Sequence, residues 1–458
     1  MKRLLLLLLV CIGQLACSRT QNRPQAPNVV ILSIDTLRAD SLRAYNRFAR
    51  RRGALDRLAE RGHTFERAYS TASWTLPAHV SLFTGLYPDR HGVVDPRYSM
   101  GDASSLVEQL HAKGYQTVGF TDGGYLGAQY GFERGFETYD AWHDGKSDMS
   151  PATLPRGGKR HVDTKAELFD RARAFLNARN DPRPLFLFVH TYAVHDYFRT
   201  WLPAKPGEQA RAGPESEHAL KCLLGSASCS PEEWRRLEVK YEAGVDALDR
   251  SLGSLLGLLN EKLDMDNTFV VLLSDHGEGF DYARNRIHHG GRLHRDQLQV
   301  PLLVTGPGVQ RGRSEAPVSL VDVRPSVLEL VGSNREDHTD GRSFVSQLFG
   351  KPPKGKRDAV WAGEYYHFWE AGQRRSVVEP SPEPLSTASI GARYWYLEGS
   401  SGEALYAVED REQANSLSSQ LEEHRNRNQP RALDTAKRTK VTNTIDVIEQ
   451  LRALGYIQ

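Results

Sequence analysis

Cysteine, net charge and long apolar runs are all scarce in this chain of 458 residues. Lys and Arg number 59 against 57 Asp and Glu, a formal charge of +2. That balance gives no global electrostatic reason to expect nucleic acid as a partner. The conspicuous apolar run, residues 4–12, is far shorter than the roughly 20 residues that cross a bilayer. Of the four cysteines, Cys11 and Cys17 fall in or beside that run, which leaves Cys222 and Cys229 in the body of the chain. Nothing near that pair suggests a metal site. In an oxidising compartment it would close a small loop; otherwise it stands as two thiols in a surface insert. No internal repeat is visible, and the length suits one large α/β domain with an appended subdomain, or two domains of ordinary size.

The first residues do carry a signal. Met1-Lys2-Arg3 followed by the short apolar run reads as the basic and hydrophobic regions of an export signal. The run closes on Gln14-Leu15-Ala16-Cys17-Ser18, which resembles a bacterial lipobox with Gln14 where Leu is usual. Lipidation of Cys17 is the expectation, with ordinary signal cleavage nearby as the alternative. Both readings export the protein, and the first anchors it by lipid in the bacterial envelope, facing the periplasm or the exterior.

Beyond a polar linker at 18–27, Asn28-Val29-Val30-Ile31-Leu32-Ser33-Ile34 reads as a buried parallel strand with Asp35 at its C-terminal end. Further strand-like runs lie at 117–121, 185–189, 268–273 and 300–305. Helix-like stretches separate them at 55–61, 106–113, 165–178 and 234–259. This alternation predicts an α/β fold with a doubly wound, mostly parallel sheet, whose ligands gather beyond the carboxyl ends of the strands. Residues 142–160 and 202–231 are rich in Gly, Pro and Ser and read as loops or inserts. After Lys351-Pro352-Pro353-Lys354-Gly355 the composition turns to aromatic strand-like segments, which predicts a catalytic domain over 28–350 and a small antiparallel C-terminal subdomain and tail over 351–458.

Three segments carry chemistry. Asp35 at a strand end is by itself an ordinary turn former or helix cap. Ser73-Trp74-Thr75-Leu76-Pro77-Ala78-His79 places a hydroxyl at a helix start, with a proline in the first turn where its missing N–H costs little. A hydroxyl there faces the positive end of the helix dipole, which favours an anionic ester beside it. The strand at 268–273 delivers Ser274-Asp275-His276-Gly277-Glu278 into a glycine turn, and a carboxylate beside an imidazole is a divalent-metal ligand pair.

Taken in order, these segments resemble the sulfatase family of the alkaline phosphatase superfamily. Ile34-Asp35-Thr36-Leu37-Arg38-Ala39-Asp40 is similar to the family's first metal motif, residues 75–85 to its nucleophile signature, and residues 274–278 to its second metal motif. Phe186 through His190 to Val194-His195 resembles the strand that ends in an active-site histidine, and His289-Gly290-Gly291 a further motif. The segments at 404–410 and 451–456 resemble the family's closing segments. The resemblance implies an ester hydrolase with a divalent metal ion on Asp35, Thr75, Asp275 and His276, which lowers the pKa of the hydroxyl and polarises the ester oxygen. His195 and His289 would bind the transferred group or, with further ligands, a second metal. His79 and Arg38 are candidate substrate contacts, Arg38 having a pairing with Asp40 as its alternative. Imidazole and carboxylate donors favour Zn²⁺ or Mn²⁺ over Ca²⁺.

The departures from the family pattern are chemical. Thr36 stands where a second Asp is usual, and His79 stands where the nucleophile signature has Arg. Thr75 replaces the Cys or Ser that sulfatases oxidise to a formylglycine aldehyde; oxidation of a Thr side chain would give a ketone, which hydrates poorly. Ala193 occupies a stretch where a further Asp, needed for a second full metal site, is common. Cys229-Ser230-Pro231 mimics the signature, but Glu233 holds the Arg position. The expectation is an exported enzyme that cleaves sulfate or phosphate esters through a metal-bound Thr nucleophile, phosphate somewhat favoured. Its substrate would be a small molecule or an ester of an envelope polymer or lipid. The alternatives are an envelope phospho-group transferase and an inactive substrate-binding lipoprotein.

Overall fold

The computed structural model describes residues 26–141, 164–195, 197, 229–281, 286–287, 289–290, 293–333, 339–355, 357 and 359–364, strand segments 386–391, 395–399 and 404–406, and residues 419, 422–423 and 426. Cys17 and Cys222, like most of the two predicted inserts, lie outside these. The main sheet is built from β1 (Asn28–Ile34), β2 (His63–Phe65), β3 (Gln116–Thr121), β4 (Thr138–Ala141), β5 (Leu185–Thr191), β6 (Thr268–Leu273), β7 (Leu302–Thr305) and β8 (Gly312–Ser314). Their order across the sheet is β8-β2-β7-β6-β1-β5-β3-β4. β1 pairs in parallel with both β5 and β6, which puts the ends of those three strands side by side.

The alternation of side chains along the central strands makes two cores. Val29 and Ile31 of β1, Phe186 and Phe188 of β5, and Val271 and Leu273 of β6 face one layer, with Leu76, Val80 and Phe83 of α2 (Thr75–Thr84) and Leu106 and Leu110 of α3 (Leu106–Ala112) among its other members. Val30, Leu32 and Ile34, with Leu187, Val189, Val270 and Leu272, face the other. There they meet α1 (Ala54–Arg61), α4 (Thr164–Ala178) and α5 (Pro231–Lys262). Strands covered on both faces must be apolar at successive positions, which is why β1, β5 and β6 carry hydrophobic runs at 29–32, 185–189 and 269–273. Among the described residues, no helix is long and apolar enough to cross a membrane.

The predicted run at 300–305 is split. Pro301 has no N–H for a ladder, so Gln299–Val300 pairs with Ala68–Tyr69 in a separate small sheet, while β7 enters the main sheet antiparallel to β6 and β2. Cys229 is disulfide-bonded. The following Ser230-Pro231 is the start of α5: the Ser230 side chain accepts from Glu233 N at 3.3 Å, and Glu233 Oε2 accepts from Ser230 N at 2.7 Å. That capping box accounts for the resemblance to a nucleophile signature. Toward the C-terminus, β9 (Ala359–Glu364), β10 (Ser386–Gly391), β11 (Trp395–Gly399) and β12 (Ala404–Tyr406) form a four-stranded antiparallel sheet.

Candidate active site

The parallel ends of β1, β5 and β6 deliver Asp35, His190 and, one residue beyond Ser274, Asp275 and His276 to one place. The chain leaves β1 through a sharp turn. Thr36 adopts φ 56°, a left-handed conformation that a β-branched residue rarely takes. Its hydroxyl donates to its own neighbour, the Asp35 carbonyl, at 2.7 Å. Tyr241 of α5 holds the turn from outside, donating to the Thr36 carbonyl and accepting from Arg38 N, both at 2.8 Å. Ser274 ties the two carboxylate-bearing segments together: its Oγ is 2.5 Å from the Ile34 carbonyl and 2.6 Å from the His276 carbonyl, and accepts from Leu37 N at 3.0 Å.

Thr75 is the first residue of α2 and has no solvent exposure. Its Oγ1 donates to Asp35 Oδ2 at 3.0 Å and lies 3.3 Å from His276 Nε2. His276 Nε2 stands 3.5 Å from Asp275 Oδ2 and 3.9 Å from Asp35 Oδ1. Four donors at about 2.0–2.1 Å around a tetrahedral cation stand about 3.4 Å apart, so these spacings suit one ion. The Asp275 Oδ2 atom is buried without a hydrogen-bond partner, and ligand atoms of Asp35, Asp275 and His276 all lie within 4.8 Å of one another. Burial pushes the Asp275 carboxyl up to about 7 and, aided by the neighbouring His289, holds His276 well below the usual imidazole range. A buried pair of carboxylates facing a neutral imidazole is a set of donors that a cation stabilises.

Beyond His276 the imidazoles continue. The His289 ring is 4.4 Å from that of His276 and 5.0 Å from that of His195, and all three are buried. Glu278 Oε2 lies 3.4 Å from His289 Nδ1. The chain can run this close to the site because Gly277 packs against backbone, where a Cβ would meet the Asp296 carbonyl at 2.0 Å. The Arg38 guanidinium is bidentate to Asp40 at 2.8 and 2.7 Å and also donates to the Glu278 carbonyl.

His79 is fully buried behind Thr75. Its Nδ1 is 3.0 Å from the Thr75 carbonyl and 3.5 Å from Asp275 Oδ2, and its Nε2 is 3.0 Å from Ser33 Oγ. Both ring nitrogens are thereby engaged on the protein side of the site. Sequence reasoning singled out neither Ser33 nor Asp122. Asp122 follows β3 and accepts from Thr191 Oγ1 and Tyr192 N, both at 2.9 Å, which fixes the turn leading to His195. Its place at the end of a strand was the one available signal. Ser33 gave none, since a serine inside an apolar run identifies no partner.

The sulfatase family model matches residues 27–333, and the chain belongs to that family. It is 26% identical to the multifunctional alkaline phosphatase superfamily protein PehA of Trinickia caryophylli, covering 71% of this chain and 78% of that protein. It is 25% identical to the choline-sulfatase of Rhizobium meliloti, over 71% of this chain and 72% of that one. Its fold is that of the phosphonate monoester hydrolase of Agrobacterium radiobacter, with a TM-score of 0.70 at 19% identity over 88% of this chain and 96% of the other. The protein is a sulfatase-like hydrolase of the alkaline phosphatase superfamily, an enzyme of sulfuric or phosphoric esters.

Proposed function

We propose that the protein is an exported, metal-dependent hydrolase that cleaves phosphate esters in preference to sulfate esters, with Thr75 as an unmodified nucleophile. The observation that carries the reading is the Thr75 hydroxyl, held at a helix start between Asp35 Oδ2 and His276 Nε2. Asp35, Thr75, Asp275 and His276 would hold a divalent cation, Zn²⁺ or Mn²⁺ before Ca²⁺, and such an ion supplies positive charge to the hydroxyl and to the ester oxygens. Thr75 donates its proton toward Asp35, which turns a lone pair of Oγ1 outward. The N-terminus of α2 favours the anionic group there. His195 and His289 bind the oxygens of that group and orient it for in-line attack. The bond from phosphorus to Thr75 Oγ1 forms as the bond to the leaving oxygen breaks, the Thr75 proton passing to Asp35 and the leaving oxygen taking one from solvent; water then attacks phosphorus and gives a proton to solvent as the bond to Oγ1 breaks, and Asp35 returns its proton to Thr75.

Arg38, bidentate to Asp40, serves better as a strut of the rim than as a substrate contact. His79, enclosed behind Thr75, serves better as a support of the nucleophile. Export and a lipid on Cys17 complete the reading and rest on the basic, apolar and lipobox-like start of the sequence. Thr75→Ala is expected to lose roughly a thousandfold or more in turnover with little change in stability. Thr75→Ser, which keeps the hydroxyl, should retain part of the activity. Paired rates on matched aryl phosphate and aryl sulfate, with the intact mass of the peptide containing Thr75, test both halves. A modified Thr75 or a large preference for the sulfate overturns the mechanism.

A further inference from the structure

Hydrogen positions in the buried imidazoles behind the site are fixed from one end. His79 Nδ1 lies 3.0 Å from the Thr75 carbonyl, and a carbonyl only accepts, so this nitrogen carries a proton. With that one proton on the ring, Nε2 keeps a lone pair and accepts from Ser33 Oγ at 3.0 Å. A serine hydroxyl has one proton. With that proton directed to His79, Ser33 accepts from His190 Nδ1 at 3.2 Å. A proton on the second nitrogen, Nε2, would point to Asp35 Oδ2, but the 3.7 Å between them is too long for a hydrogen bond, so Nε2 keeps its lone pair.

That lone pair has no hydrogen-bond partner and is fully buried. It faces Asp35 Oδ2 at 3.7 Å, and His79, His190 and Asp275 bring one ligand atom each within 4.8 Å of one another, beside the group of Asp35, Asp275 and His276 with which they share Asp275. Two electron-rich acceptors held face to face in a dry interior repel unless positive charge lies by them. His79 is barred from supplying a ligand there, because its nitrogen nearest Asp275 holds the proton given to Thr75.

We propose that His190 is a further ligand of the cation held by Asp35, Thr75, Asp275 and His276, its Nε2 lone pair aimed by the Thr75–His79–Ser33 chain. This rests on the cation reading of the same site and adds a donor to it. Two imidazoles beside two carboxylates move the site's preference toward Zn²⁺, Mn²⁺ or Co²⁺ and away from Ca²⁺, which takes oxygen ligands. The same chain couples the nucleophile to the ion from behind: a shift of the Thr75 carbonyl would release His79, Ser33 and His190 in turn.

The test uses full-length protein stripped of metal with a chelator, then titrated with Zn²⁺ or Ca²⁺ alone and loaded with Co²⁺ for its absorption spectrum. His190→Gln is expected to lower Zn²⁺ affinity about tenfold or more and to shift the Co²⁺ bands, with Ca²⁺ affinity changed less than about twofold. A wild-type Zn²⁺ affinity and Co²⁺ spectrum in His190→Gln overturn the proposal. His276→Ala separates this from failure of the cation reading: loss of Zn²⁺ in that variant, with His190→Gln unaffected, removes His190 alone. Wild-type protein that binds neither Zn²⁺ nor Co²⁺ removes the cation site and this ligand with it. Should His190→Gln fail to fold by circular dichroism, Ser33→Ala decides. It keeps every ligand but frees the His190 ring, so a several-fold loss of Zn²⁺ affinity supports the chain and an unchanged affinity overturns it.

Discussion

Ser274→Ala removes one oxygen from a residue outside the proposed donor set, and its cost can be worked out atom by atom. The hydroxyl has a single proton to share between the Ile34 and His276 carbonyls, at 2.5 and 2.6 Å, and it accepts from Leu37 N at 3.0 Å. Ser274 has no exposure, so water cannot replace it without a rearrangement of the loop. An orphaned buried N–H costs about 1–3 kcal/mol, and a carbonyl deprived of its donor somewhat less. The sum is about 2–4 kcal/mol, large against the roughly 5–15 kcal/mol that typically holds a domain together. Because the lost bonds join the turn after Asp35 to the turn carrying Asp275 and His276, metal affinity should fall with stability. Urea unfolding followed by circular dichroism, with a Zn²⁺ titration of the same variant, measures both. A variant within about 0.5 kcal/mol of wild type and with unchanged Zn²⁺ affinity would refute the reasoning that Ser274 clamps the two ligand-bearing turns.

Asp275→Ala and His276→Ala are each expected to abolish stoichiometric metal and most turnover while the chain stays folded; metal analysis of both purified variants checks this, and full retention in both would remove the assignment. The raised Asp275 carboxyl predicts a pH dependence of metal binding. Proton and cation compete for one carboxylate, so apparent Zn²⁺ affinity should be flat above about pH 7 and decline as pH falls below it; titrations at several pH values test the sign. In metal-free protein the same group acts on stability in the opposite sense. Its folded pKa lies above its unfolded value of 3.8, so its contribution is present at low pH and is lost as pH rises through about 7. Cys17→Ser should release the protein from the membrane fraction and leave no lipid mass on the mature N-terminus, whereas unchanged fractionation and mass would count against lipidation.

The order of the motifs was legible from residues alone because each pairs a strand end with a chemically committed side chain. β1 and β6 are buried on both faces and apolar over most of their length; the first ionisable positions beyond them, Asp35 and the Asp275-His276 pair, therefore stand out in a one-dimensional reading. Thr75 was legible for a similar reason, a hydroxyl before a proline that starts a helix. What the sequence could not determine is which buried polar groups meet across distant segments. Ser33 and His79 are 46 residues apart, and Ser33 and His190 are 157 apart; only the parallel register of β1 with β5, opposite Ser33 to His190, brings these into one chain. His79 looks like a substrate contact in sequence because it holds the family's Arg position. The i, i+4 geometry of α2 instead turns its ring back onto the Thr75 carbonyl. Residue type gave the chemistry of each donor, but strand register and helix phase decided which donors face one another, because hydrogen bonds and ligand spacing depend on distances that sequence separation does not encode.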